Sequence, residues 1–323
     1  MPKCRICGRK AVVYLRHSRL WLCSEHFNEF IENRVMRTIK RYNLIRKGDR
    51  VLLGLSGGKD SVVLAHILSK LRESIGFKLY LAHINLGIGE YSEKNAEVAK
   101  KISEKTNAPL IILDLRKILG VGIPELALKT RRPPCSVCGV VKRYLLNALA
   151  VELKANSIAT GHNLDDMATF ILKEFLVQNL EQIPKLAPRI EGVKDYLVAK
   201  IKPLYETYEE DIKKYAELNN ILYVEEKCPL ADETTLTWHL KKHLRDLEYR
   251  FPGLTIGFIR RLVKNIEKYP KPGDTIRRCS ICGMPSSGKI CSFCKITEKA
   301  LGKPMGPHAR EYIKEIVDKS IID

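Results

Sequence analysis

Val51-Leu52-Leu53-Gly54-Leu55-Ser56-Gly57-Gly58-Lys59-Asp60-Ser61 is the stretch whose reading decides the fold. Its apolar opening predicts a buried strand, and its glycines predict a turn. The following Ser61-Val62-Val63-Leu64-Ala65-His66-Ile67-Leu68 predicts a helix. Strand, glycine turn and helix N-terminus together make an anion site. Glycines let successive backbone N–H groups point inward, and the helix end adds partial positive charge. Lys59 contributes a full charge, and Ser56 and Ser61 contribute hydroxyls. A phosphate chain is the ligand that fits. The stretch is not a Walker A loop, because Leu53 stands where that pattern needs glycine and Asp60 where it needs Ser or Thr.

Outward from this loop, β-like and α-like segments alternate. Strands are expected at 78–84, 109–114 and 157–160, and helices at 92–106, 136–154 and 165–177. Alternation of this kind implies a parallel sheet wrapped by helices. Ligands in such sheets sit at the carboxyl ends of the strands. The loop, His83-Ile84 and Thr160-Gly161-His162 should therefore border one crevice. Residues 182–203 read as an irregular excursion, 208–219 as a helix, and Leu222-Tyr223-Val224 as a strand leading to Cys228. Two basic helices are expected at 236–249 and 254–269, and a last one at 308–318. Pro270, Pro272 and Gly273 mark a boundary between them.

The chain has 323 residues, 45% of them hydrophobic, enough for one sizeable α/β domain with smaller additions. No apolar run is long enough to span a membrane. Met1-Pro2-Lys3-Cys4 lacks the apolar core of a signal peptide, so a cytoplasmic location is expected. A net charge of +19 points to a polyanionic partner, most naturally nucleic acid, over a merely basic surface. Glutamine occurs only at Gln178 and Gln182 amid abundant Lys and Glu, which leans toward a thermophile.

The ten cysteines are clustered, which in a cytosolic chain reads as metal binding. Cys4 and Cys7, fifteen residues, then Cys23 and His26 form two tight pairs that suit one tetrahedral Zn²⁺. Cys279 and Cys282, eight residues, then Cys291 and Cys294 form a second such site. An amphipathic helix over 27–44, with Arg34, Arg37, Lys40 and Arg41 on its other face, should join the first module to the core. Cys135, Cys138 and Cys228 remain. By residue type alone they allow a three-thiolate [4Fe–4S] cluster with one iron free of protein ligands, a third zinc site with a distant fourth ligand, or persulfide chemistry.

The loop Ser56–Ser61, the segment Pro133-Pro134-Cys135-Ser136-Val137-Cys138-Gly139 and the segment Gly161-His162-Asn163-Leu164-Asp165-Asp166 together resemble the TtcA/TtuA family of PP-loop ATP pyrophosphatases. Zinc modules at both ends make the resemblance TtuA-like, and it covers essentially the whole chain. It implies an α/β fold: a parallel-sheet PP-loop (adenine nucleotide alpha hydrolase-like) domain flanked by N- and C-terminal zinc-binding modules. The expected division is 1–45, zinc module and linking helix; 46–269, PP-loop thiolation domain; 270–323, zinc ribbon and helix.

The implied activity is a tRNA 2-sulfurtransferase. ATP adenylates a uridine C2 carbonyl, with position 54 favoured, and sulfur follows through a [4Fe–4S] cluster on Cys135, Cys138 and Cys228. Alternatives are the wobble uridine, cytidine 32, or a PP-loop tRNA-modifying ligase without sulfur chemistry. ATP would be bound by Gly54, Ser56, Gly57, Gly58, Lys59, Asp60, Ser61, Ile84, Lys142 and Gly161, with Mg²⁺ shared by the nucleotide. Lys142, one helical turn after Cys138, Asp166 and Asp60 are the catalytic candidates, with Asp165 the rival of Asp166. Two Zn²⁺, a ubiquitin-like sulfur carrier protein and a homodimer complete what the resemblance implies.

Overall fold

The computed structural model describes residues 2–271, 273 and 276–320; Pro272 of the expected boundary lies outside them. Its centre is β3 (Arg50–Gly54), where Val51, Leu52 and Leu53 are fully buried. Alternate side chains of a strand face opposite ways. Val51 and Leu53 join one core with α2 (Lys59–Ile75), whereas Leu52 joins another with α6 (Pro134–Glu152). A strand buried on both faces belongs inside a sheet covered by helices.

The N-terminal module precedes this strand: β1 (Val13–Leu15) and β2 (Leu20–Leu22) form an antiparallel hairpin, followed by α1 (Ser24–Arg41). After α2 come β4 (Lys78–Asn85), α3 (Gly89–Thr106), β5 (Leu110–Asp114), α4 (Leu115–Leu119), α5 (Ile123–Thr130) and α6. Then follow β6 (Ser157–Ala159), α7 (Leu164–Leu176), β7 (Arg189–Ile190), β8 (Ala199–Ile201) and α8 (Glu209–Leu218). The chain continues through α9 (Leu236–Arg250), α10 (Leu254–Lys264), β9 (Arg277–Arg278), β10 (Pro285–Ser286), α11 (Ser292–Leu301) and α12 (Gly306–Ser320).

The central sheet has the order β5-β4-β3-β6-β8-β7, parallel except where β7 meets β8. The chain builds outward from β3 to β5, then crosses back to place β6 on the other side of β3. That reversal opens a crevice at the carboxyl ends of β3 and β6, which is where the phosphate loop and Thr160–His162 emerge.

Two expectations are corrected. Residues 182–203 are not wholly irregular, since β8 pairs in parallel with β6 and β7 closes the sheet edge. Leu222–Val224 form no strand. They run beside the phosphate loop, and the Val224 N–H donates to the Gly57 carbonyl at 3.0 Å. Both terminal modules merge into the cores. Leu15, Leu22 and Phe27 share the core of Val51, and Tyr144 of α6 stacks on Phe293 of the ribbon with 3.9 Å between ring centroids.

Candidate functional site

The two terminal cysteine groups are closed. In each set the four ligand atoms lie within 4.8 Å of one another, and all four ribbon cysteines are buried. Cys23 and Cys291 each stand just before a helix, so the turn places the next ligand, His26 or Cys294, on the same side. Four convergent donors, with no fifth group in either set among the described residues, describe a structural tetrahedral site, and both sets fit Zn²⁺.

The central site is open. A cavity of about 540 Å³ lies at the carboxyl ends of β3, β4 and β6. The phosphate-loop residues Gly54, Ser56, Gly58, Asp60 and Ser61 form one wall. Ile84, Gly161, Lys142, Asp166, Cys138 and Cys228 complete its chemical lining. Two expected residues, Gly57 and Lys59, do not line it. Gly57 has φ +87°, and a Cβ there would meet Asn95 Oδ1 at 2.3 Å, so its place is to turn the chain tightly over α3. Lys59 folds back, its Nζ 2.8 Å from Asp60 Oδ1 and 3.6 Å from Glu209 Oε1. Asp60 also accepts from Asn163 Nδ2 at 3.0 Å, which ties the loop to the start of α7.

Loop geometry follows from small hydroxyls. The Ser61 hydroxyl donates to the Gly58 carbonyl at 2.9 Å and accepts the Ser56 N–H at 3.1 Å. No side chain caps α2, so its first N–H groups are free to face an anion. Gly161 permits the next loop to approach, because a Cβ would sit 2.9 Å from the Ser61 nitrogen. His83 lines the same chamber. Its Nδ1 bonds the Leu55 carbonyl at 2.9 Å, and Nε2 has no partner among the described residues. A carbonyl can only accept, so Nδ1 carries the proton and Nε2 presents a lone pair.

Cys138 and Cys228 reach this cavity, and the Cys135 thiol lies 3.6 Å from the Leu230 carbonyl, beside the Cys228 segment. The three thiols are not all within 4.8 Å of one another, unlike the terminal sets. One tetrahedral ion needs closer ligands; a larger group held at its corners tolerates this spacing. A helix N-terminus and nearby arginines lower a thiol pKa. At Cys138 burial prevails and pushes the thiol up, with Lys142 pulling the other way.

Adjacent carboxylates diverge. Asp165 turns from the cavity and accepts the Glu209 backbone N–H at 2.8 Å, capping α8. Burial raises its pKa to about 6. Asp166 faces the cavity, accepts the Asn163 N–H at 3.3 Å and receives Lys241 Nζ at 2.6 Å. Lys241 is a residue the sequence reading missed. It also stands 2.7 Å from Glu209, where Arg245 joins at 2.6 Å. Burial opposes the Glu209 charge, but Lys241, Lys59 and Arg245 outweigh it and hold its pKa near 2. Lysine and glutamate separated by a loop and a helix give no local signal. Only the basic face of the helix containing Lys241 was visible.

Against known proteins, residues 25–236 match the PP-loop domain family, and residues 3–28 match the N-terminal LIM domain of the 2-thiouridine synthetase TtuA. The chain is 44% identical over 295 residues to the tRNA-5-methyluridine(54) 2-sulfurtransferase of Pyrococcus horikoshii, covering 91% of this chain and 93% of that one. The Thermotoga maritima protein of the same name is 40% identical, covering 92% and 96%. Among solved structures, the U34-tRNA thiolase NcsA from Methanococcus maripaludis with its [4Fe–4S] cluster superposes with a TM-score of 0.78 at 28% identity, covering 93% and 97%.

Proposed function

The chain belongs to the TtuA-like branch of the PP-loop family, and from that membership we propose that this tRNA-thiolating transferase converts uridine 54 to a 2-thiouridine through an adenylated base. One observation carries the reading: the phosphate loop, Lys142, Asp166, Cys138 and Cys228 open on the same cavity. Nucleotide activation and sulfur delivery can then act on one carbonyl carbon without the tRNA moving.

The residues divide the work. Ser56, Gly58 and the uncapped end of α2 receive the phosphates that leave as pyrophosphate. Asp60 would hold the Mg²⁺ that travels with the nucleotide, which when bound would offset the phosphate charge. Gly54 and the backbone around His83 and Ile84 border the adenosine. The uridine C2 oxygen attacks the α-phosphorus, pyrophosphate departs, and Lys142 balances the charge that develops on the phosphoryl oxygens. Asp166 acts beside the base as a proton acceptor. A sulfur nucleophile then adds at C2, and AMP leaves with the former carbonyl oxygen.

Cys135, Cys138 and Cys228 would hold a [4Fe–4S] cluster, which when bound supplies an iron without a protein ligand for the sulfur donor. The terminal sets would hold two Zn²⁺. A ubiquitin-like carrier protein as donor, a homodimer, a cytoplasmic setting and the three-part division at 45/46 and 269/270 belong to the same proposal. No helix among the described residues is long and apolar enough to cross a membrane.

The test is position-resolved. Anaerobically prepared protein, ATP, a sulfide source and tRNA should yield 2-thiouridine at position 54 by nucleoside mass analysis, and none without ATP. Sulfur found instead at the wobble uridine or cytidine 32 would move the target. Pyrophosphate release on tRNA with no thiolated product would favour the ligase alternative.

A further inference from the structure

A second cavity, of about 460 Å³, lies between α6, β8 and the C-terminal ribbon. Three cations from three elements line it: Arg143 of α6, Lys200 of β8 and Lys295 of α11. No acidic side chain lines it, and none of the three cations makes an ion pair among the described residues. Like charges gathered without a counterion repel, and the cost is greatest where water is partly excluded, as at half-buried Lys200, while Arg143 and Lys295 stand exposed. Lys200 registers that cost: burial, and then the nearby Arg143, press its pKa below the ordinary lysine value. The hydroxyl-bearing Ser286 and Ser287 of the ribbon complete a wall suited to oxyanions. Arg143 lines this cavity and the catalytic one alike. An occupant that answers both facts is anionic and continuous with whatever enters the catalytic cavity.

We propose that the ribbon cavity is a phosphate subsite for the tRNA backbone flanking the reacting nucleotide, with Arg143, Lys200 and Lys295 as its cations. The inference rests on the tRNA-modifying reading above and gives the C-terminal ribbon a task beyond stability. Its metal centre keeps the wall in place, and the wall holds the substrate strand in register with the catalytic chamber. A polynucleotide is favoured over free phosphate because one phosphate does not fill the cavity, and because Arg143 joins its wall to the chamber that the base enters.

The experiment uses the full chain carrying Lys200→Met and Lys295→Gln, singly and together, leaving Arg143 untouched. tRNA binding is measured across a salt series, ATP and inorganic phosphate binding in parallel, and melting temperature without tRNA. The double variant should bind tRNA about tenfold more weakly, with a salt slope reduced by about two, as two phosphate contacts are lost. ATP affinity should not change. Lys200→Met should melt at or above the wild-type temperature, since a repelled cation is removed. Unchanged tRNA affinity and slope would overturn the subsite. So would loss of ATP or inorganic phosphate binding with tRNA binding intact, which would make it a small-phosphate site. A wild-type protein with no salt-dependent tRNA binding would overturn the functional reading itself, and the subsite with it.

Discussion

The ribbon and the central chamber both gather cysteines, yet they do so in opposite ways. Cys279, Cys282, Cys291 and Cys294 are buried, mutually within 4.8 Å, and wrapped by Phe293 and Tyr144. Cys135 is exposed, Cys138 and Cys228 are partly so, and the latter two face a cavity that also holds the phosphate loop. A metal centre for stability should spend every ligand and exclude everything else. A centre for chemistry must leave a position and an approach. Closure, rather than cysteine count, distinguishes the two.

That distinction is most easily broken at Cys279. Cys279→Ser removes one of four donors from a closed site. It should cost on the order of 4 kcal/mol or more, because small metal modules owe their folding to the ion. Zinc content should drop from about two to about one per chain by ligand count. Retention of both zinc ions and of the wild-type melting temperature would place the ribbon outside the structural class.

Cys228→Ala probes the other side of the comparison. Thiolation should fall at least about a hundredfold, roughly 2.7 kcal/mol at the barrier. The melting temperature should stay within a few degrees, since this cysteine is only partly buried. ATP-dependent pyrophosphate release should persist if adenylation precedes sulfur transfer. A variant that folds and still thiolates at the wild-type rate would remove the three cysteines from the sulfur step.

The contrast also explains what could be read from sequence. Tight Cys pairs and the Ser56–Ser61 loop are local patterns, and each carries its geometry in its spacing. The α/β alternation around them was equally legible because long apolar strands and amphipathic helices have distinct periods. β7 and β8 were missed because two or three residues are too few to show a period, and their pairing is decided by distant strands. Leu222–Val224 has strand composition, but its Val224 N–H is taken by the phosphate loop. Glu209 and Lys241 escaped notice because their meeting with Lys59 and Asp166 depends on four helices converging.

Lys241 offers a smaller and sharper test of the open site. Lys241→Met frees the Asp166 carboxylate and unbalances Glu209. Turnover should fall about tenfold, ~1.4 kcal/mol, with little change in the KM for ATP. Lys241→Arg should recover most of the rate, because it restores a cation between the two carboxylates. In the Asp166→Asn background, Lys241→Met should add almost nothing. Independent, fully additive losses would mean that Lys241 does not act through Asp166.

The finest version of the comparison lies in one peptide bond, between Asp165, which caps α8, and Asp166, which faces the cavity. Asp165 has its pKa raised by burial to about 6, above its ordinary 3.8. The folded state therefore binds this proton more tightly than the unfolded state. Stability from this group rises as pH falls from above 6 toward 3.8, and is withdrawn as pH rises again. Between pH 7 and pH 5 the gain should be about 1 kcal/mol. His66, His83 and His162 act in the opposite direction, since desolvation lowers their pKa values and the unfolded chain takes up their protons first. Glu209, held near 2, contributes stability that is lost only below its ordinary 4.5. The wild-type pH profile mixes these terms, but the difference between wild type and Asp165→Asn isolates one of them. Asparagine still offers an oxygen to the Glu209 N–H, so the cap persists while the titration disappears. Chemical denaturation at pH 7 and pH 5 should show the variant gaining relative to wild type at pH 7 and losing that advantage at pH 5. If the difference does not change with pH, Asp165 ionises as an ordinary carboxylate, and the separation of a half-buried capping aspartate from its cavity-facing neighbour loses its electrostatic basis.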